Sequence, residues 1–282
     1  MIIKIALATL VAASSLFGNG FSPLGLAYND EWQFPAKEHR KNIYGLSLTL
    51  FEEQRENVYG LGIGLGGSHI DKTLTGAQIS ILGSGMNTVN GIQIGGVGSG
   101  ANKVNGIQIG GLFSGSNNGR NEVNGIKIGG LLTVTRELHG IMVCGLFNIG
   151  GMSGNSYGLQ MAGFGNFREF ILTYGSPSYE FTGIQMASVI NVADAITGAQ
   201  ISFFLNGTQN IKGIQMSGCF NVAEQHCAGL QIGIYNRAKT LKGVQIGVYN
   251  RAYSGSGVQI GLVNSFGRDD DRLILPLVNL RF

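Results

Sequence analysis

His226 stands beside Cys227, and an imidazole next to a thiol is the beginning of a soft metal site. A complete site needs two further ligands. The other histidines, His39, His69 and His139, sit in unrelated sequence contexts, so solvent or turn histidines are the plainer account and no metal shell follows. "GLGIGLGG" places Gly62, Gly64 and Gly67 in G-x-G-x-x-G spacing, but a dinucleotide site needs a helix directly after it, and "SHIDKTLTG" leads into another strand pattern. In a chain with 47 glycines such spacing arises by chance. "RDDDR", Arg268 to Arg272, lacks the spaced oxygen ligands and closing Glu of a calcium loop and reads as a solvated hairpin between the last two strands. "KEHRK", Lys37 to Lys41, reads as a polar lead-in that could touch anionic head groups. No recurring Ser, His and Asp set points to a hydrolase, so no catalytic residue, metal ligand or cofactor site is assigned.

The polar side chain that does recur at a fixed spacing is glutamine: Gln93, Gln108, Gln185, Gln200, Gln215, Gln231, Gln245 and Gln259. A primary amide has no acid-base chemistry near neutral pH. It can donate and accept at once, which suits either the lining of a neutral aqueous lumen or a ladder of stacked amides.

Those glutamines belong to a repeat. With the Gly before each apolar pair as position one, copies start at Gly45, Gly60, Gly76, Gly91, Gly106, Gly125, Gly140, Gly158, Gly183, Gly198, Gly213, Gly229, Gly243 and Gly257. Most starts lie 14 to 16 residues apart, and the consensus is G-h-Q-h-G-G-h-h-N-x-A-x-x-h-x, with h apolar. In "GVQIGVYNRA", Val244, Ile246 and Val248 alternate with Gln245, Gly247 and Tyr249, the period-two pattern of a strand. The second small residue of the pair, as in Gly95-Gly96, reads as a β-bulge that restores register, and the Asn that follows (Asn148, Asn166, Asn191, Asn206, Asn221, Asn236, Asn250, Asn264) reads as a turn residue tolerant of positive φ.

Two architectures use such strands. In an antiparallel meander closed into a barrel, each repeat is one strand and one turn, with Ile and Val outward and Gln facing the lumen. In a β-solenoid each repeat is a coil, with Gln in an outward ladder and the apolar residues of the connection, Ala101 and Val104 or Ala238 and Leu241, facing the core. The terminal "LILPLVNLRF" resembles the last strand of outer-membrane β-barrel proteins, whose final aromatic residue implies an assembly signal at Phe282. "EFILTY", Glu169 to Tyr174, supplies an extra strand, so fourteen repeats, this strand and the terminal one make an even barrel of about 16. The expectation is therefore an all-β chain of about 15-residue single-strand repeats closed into a barrel of about 16 strands, with a β-solenoid as the alternative.

Residues 1–27 read as a secretory signal peptide, with Lys4, an apolar run from Ile5 to Phe17 and a small-residue cut after Ala27. Residues 28–43 are a lead-in, and 44–282 the repeat-built β domain. Three cysteines, Cys144, Cys219 and Cys227, cannot form a closed disulfide framework; small core fillers are the plain reading, and a Cys219–Cys227 bridge stays open. A net charge of +3, scattered among 12% charged residues, is too small to argue for a nucleic-acid partner, and none is expected.

From Gly76 to Phe282 the repeats resemble the G-h-Q-h-G-h-h-N units of a spirochaete-type family of bacterial envelope surface proteins. The resemblance implies export to the outer membrane or cell surface of a Gram-negative-type bacterium and transfers no catalytic residue. The expected role is a non-enzymatic outer-membrane protein, a porin-like channel with a neutral lumen, contacting outer-membrane lipid and the barrel-assembly machinery with its ligand unassigned; the alternative is a rigid solenoid scaffold or adhesin.

Overall fold

Every copy of the repeat opens on a glycine at a bend: from Gly45 to Gly243 the first-position glycines have φ between +125° and +148°. That conformation belongs to glycine alone. The computed structural model describes residues 21–28, 33–34, 42–115, 121–150, 154–168, 179–268, 270 and 272–282. Among them strand dominates and no α-helix occurs. The chain divides into two compact units, Met1–Thr135 and Arg136–Phe282.

In the first unit, neighbouring repeats pair parallel and in register: Gly45 lies beside Gly60, then Gly76, Gly91, Gly106 and Gly125. In the second unit, Gly140, Gly158, Gly183, Gly198, Gly213, Gly229, Gly243 and Gly257 are aligned in the same way. Parallel in-register stacking of single coils is a β-solenoid, and it overturns the barrel of about 16 antiparallel strands. The physical reason lies in the connections. Ala101, Val104, Ala238 and Leu241 are all 0% exposed; a hairpin turn would leave them in water, whereas a coil carries them back through its own core.

Each coil bends at three places. The first is the positive-φ glycine. The second falls at positions six and seven, as at Gly96–Val97 or Gly218–Cys219, so the second small residue makes a corner and not the bulge expected from sequence. Crowding there explains the small side chain: a Cβ on Gly96 would stand 2.1 Å from the Ile81 carbonyl oxygen. The third is a register irregularity near positions twelve and thirteen, for example between Ala223 and His226. Between the bends the chain alternates. In a fifteen-residue coil positions three, nine, eleven and fourteen point inward, and two and four point outward; in the Gly229 coil the later inward residues, Asn236, Ala238 and Leu241, come one position earlier.

The asparagines also differ from expectation. Asn148, Asn166, Asn191, Asn206, Asn221, Asn236, Asn250 and Asn264 are 0% exposed and lie within strands, and the one positive φ outside glycine belongs to Leu277. A buried amide at this corner satisfies backbone that a Leu could not.

Both chain ends add strands that are not repeats. Phe21–Ala27, assigned from sequence to the end of the export segment, pairs parallel with Asn42–Thr49, and Gln33–Phe34 pairs antiparallel with Leu26–Ala27. The terminal strand Leu273–Arg281 runs antiparallel along Gly257–Phe266, so the final ten residues do form a strand but cover the last coil. The signal-peptide residues 1–20, "KEHRK" from 37 to 41 and the extra strand at 169–174 lie outside the described residues.

Candidate functional site

The interior of each solenoid is built from amides as much as from hydrocarbon. Gln93, Gln108, Gln185, Gln200, Gln215, Gln231, Gln245 and Gln259 are all 0% exposed. They neither line a lumen nor face outward. In the second unit each Nε2 donates to the Oε1 of the preceding coil: Gln185 to Gln160 at 2.7 Å, Gln200 to Gln185 at 3.1 Å, Gln215 to Gln200 at 2.8 Å, Gln231 to Gln215 at 2.7 Å, Gln245 to Gln231 at 2.7 Å and Gln259 to Gln245 at 2.8 Å. In the first unit Gln108 donates to Gln93 at 3.0 Å, while Gln93 turns to Ser84 Oγ at 2.9 Å. Burying this much polarity costs free energy unless donors find acceptors, and the ladder supplies one per coil from Gln185 onward, while Nε2 of its first rung, Gln160, has no hydrogen-bond partner among the described residues.

The asparagine ladder runs the opposite way, each Nδ2 donating to the next coil, as from Asn206 to Asn221 at 3.1 Å and from Asn221 to Asn236 at 2.9 Å. The same nitrogen also reaches the corner carbonyl of the next coil; Asn221 donates to Ile232 O at 2.7 Å. Asn221→Ala removes both bonds, takes the donor from the buried Asn236 Oδ1 and breaks the ladder bond from Asn206, whose Nδ2 keeps Met216 O at 2.8 Å. A loss of about 3 kcal/mol is expected from orphaned buried groups, read as a lower urea midpoint with an unchanged denaturant slope.

One ladder position is ionisable. Lys127 takes the glutamine place in the Gly125 coil, is 0% exposed, and donates its Nζ to Val134 O at 2.7 Å. Burial lowers its pKa from 10.5 to about 7. Across the coil boundary, Gln108 Oε1 has no hydrogen-bond partner among the described residues.

The outward positions reverse the usual pattern. From the Gly60 coil to the Gly213 coil no charged residue occupies position two, four, six, seven or eight, and in the last three coils, where the buried Asn comes one position earlier, none occupies two, four, six or seven. In the first unit these positions present Ile63, Ile79, Ile81, Leu82, Val97 and Leu112, each at least 42% exposed. In the second they present, among others, Phe203 at 75%, Ile234 at 54% and Leu262 at 64%. Charge lies on the remaining sides, in pairs such as Lys72–Glu56 at 3.0 Å, Lys103–Glu122 at 3.3 Å and Arg237–Glu224 at 3.8 Å. An aromatic row marks one border of the apolar region in the second unit. Phe220 and Tyr235 have ring centroids 5.9 Å apart, and Tyr235 and Tyr249 stack at 5.3 Å and 1°. Within each unit, exposed apolar side chains recurring from coil to coil are the kind of surface that marks an interaction site.

The other candidates stay apart. His226 is exposed while Cys227 is buried on the opposite side of the strand, its thiol pushed up to about 12 by burial. All three cysteines are free, with Cys219 at an outer corner. His69 pairs with Asp71 at 3.4 Å, and His139 lies against Tyr157. Among the described residues no three His, Cys, Asp or Glu converge. Gly62 and Gly64 end one strand and Gly67 begins the next, with no helix between. Arg268, Asp270 and Arg272 sit in the link to the terminal strand, and Phe282, read as a barrel-assembly signal, is fully exposed beyond it.

Sequence reading passed over Gln78 and Gln160, which occupy the same third position and are buried in the same way. It also passed over Lys127. The alignment on the first glycine puts all three at position three, so the signal was present in the sequence. Comparison with known proteins adds no relative: no family model, curated protein or solved structure matches the chain.

Proposed function

We propose that the protein is a non-enzymatic envelope scaffold, a rigid β-solenoid that lies on a lipid surface by its uncharged side and turns its polar sides outward for adhesion or assembly. The observation that carries this reading is the absence of charge at five outward positions per coil, four in the last three coils. Apolar groups at positions two and four lie on one side of the coil, six and seven on the corner, and eight on the next side, so the apolar surface is convex. A flat protein partner would cover one side of such a ridge. A bilayer interface can enclose it.

Energetics favour shallow seating. Each half-exposed Ile, Leu, Val or Met that enters hydrocarbon contributes about 1 kcal/mol. Eight apolar residues stand at positions two and four of the last four coils; Ile214, Met216, Ile246 and Ile260 are 38–43% exposed and Leu230, Ile232, Val244 and Val258 less so, and together they would supply at most about 8 kcal/mol, which sets roughly micromolar binding as the upper limit. Backbone groups within a stack are already paired between coils, so lipid contact leaves few of them unsatisfied.

Flotation with phosphatidylcholine vesicles tests the reading. The protein is expected to float with the vesicles in high salt, and Ile214→Asp with Ile246→Asp, folded by circular dichroism, is expected to stay in the soluble fraction. A wild-type protein that never floats overturns lipid seating and leaves a soluble scaffold.

A further inference from the structure

Positive charge is concentrated along the apolar surface at one end of the second unit. Between Gly198 and Phe266 there are five basic residues and one acidic; between Asn42 and Gly115 there are three basic and four acidic. The placement follows the coil. Lys212 and Lys242, both exposed, occupy the last position of their coils, immediately before the bends at Gly213 and Gly243 and next to the outward Ile214 and Val244. They stand two coils apart in one register column, Lys212 beside Ala228 and Ala228 beside Lys242.

On the other border the aromatic row Phe220, Tyr235 and Tyr249 is followed two residues on by Arg237 and Arg251, with Lys239 further out. Arg251 is 4% exposed, bonded to Ser265 Oγ and packed 4.3 Å from the Tyr253 ring centroid, so it stiffens this border. Arg237 and Lys239 remain on the surface; Arg237 shares Glu224 at 3.8 Å and Lys239 donates to Gln225 Oε1 at 3.0 Å. Outward from the apolar ridge the order is hydrocarbon-like, then aromatic, then cationic. That is the order of layers met on leaving a bilayer core, through the interface, to the phosphates.

We propose that this end of the second unit binds the head groups of anionic phospholipids, with Lys212 and Lys242 on one flank and Arg237 and Lys239 on the other. The proposal rests on the lipid-seated reading and adds to it a preference and an orientation. Cations near an anionic membrane surface contribute about 1 kcal/mol each and are screened by salt, whereas apolar contact is not.

The test compares vesicles of phosphatidylcholine alone with vesicles in which one lipid in three is phosphatidylglycerol, for wild type and for the variant Lys212→Gln, Arg237→Gln, Lys239→Gln, Lys242→Gln. These four side chains are at the surface, so the variant should keep its β circular-dichroism spectrum. Wild type is expected to bind the anionic vesicles at least about tenfold more tightly, with the excess lost in the variant and in high salt. A control variant, Lys72→Gln with Lys103→Gln, should keep the preference. Equal binding of wild type to both vesicles overturns the proposal while lipid seating stands, and binding to neither overturns both. An anionic preference that survives the quadruple substitution also overturns it, because the charge responsible then lies elsewhere.

Discussion

Replacing Lys127 with Gln is expected to stabilise the first unit by about 4 kcal/mol at neutral pH and to flatten its pH dependence between neutrality and pH 10. In the folded chain Lys127 is buried and its pKa falls from 10.5 to about 7, which at about 1.4 kcal/mol per tenfold costs the charged form about 5 kcal/mol. Below pH 7 both folded and unfolded chains hold the proton, and the penalty is fully present. Between 7 and 10.5 the folded chain has released a proton that the unfolded chain still binds, so stability rises with pH across that window. Above 10.5 it levels off. Glutamine carries no such penalty, and it restores the residue type that the ladder uses at Gln93 and Gln108, giving the orphaned Gln108 Oε1 a donor. Urea midpoints of the two proteins at several pH values decide the matter. A variant no more stable than wild type at pH 7, or one that keeps the rise toward pH 10, would show that Lys127 is accommodated without cost.

Much of this solenoid was legible because β structure alternates. The strand pattern of Val244, Gln245 and Ile246 fixed which side chains share a face, and the recurring first glycine fixed phase and repeat length. The direction of pairing was not legible from that pattern. A one-strand repeat in a meander and a one-coil repeat in a solenoid share the same alternation, the expected outward Gln ladder of the solenoid is instead buried, and the aromatic terminus and even strand count pulled the reading toward a barrel. The discriminating residues were in the connections. Val104 and Leu241 are large apolar groups where a hairpin needs turn residues, and both are fully buried. Asparagine misled for a related reason: locally it is a turn former, and only its recurrence at one column in eight successive coils reveals a ladder. Ile and Val were read as outward only within the barrel, which would have spread them around its circumference, whereas the coil gathers them on one ridge. Residues 1–20 of the export segment and the extra strand at 169–174 fall outside the described residues.

Gly213→Ala is expected to be the most damaging single substitution in the second unit. At φ +134° the residue lies outside the left-handed helical region that Asn or Asp can visit, in a part of backbone space reserved for glycine. A Cβ there would also stand 2.0 Å from the Gly198 carbonyl oxygen and 2.9 Å from its carbon. Relief requires separating two coils, which breaks the parallel pairing from Ile196–Ile211 to Ser202–Ser217 and the Gln215 to Gln200 ladder bond. A destabilisation of at least about 4 kcal/mol follows from backbone strain plus the lost contacts. Because a coil touches only its neighbours, the damage should stay local: hydrogen-exchange protection is expected to vanish in the Gly198, Gly213 and Gly229 coils and persist in the first unit. Gly67→Ala serves as the comparison, since a Cβ there meets nothing within 4 Å and the residue has no positive φ; its midpoint should move by less than about 0.5 kcal/mol. Gly213→Asn separates the two sources of strain from a generic need for a turn residue. If position one were an ordinary left-handed turn, Asn would recover most of the stability; because the bend is extended at positive φ and pressed against the preceding coil, Asn is expected to fail as completely as Ala.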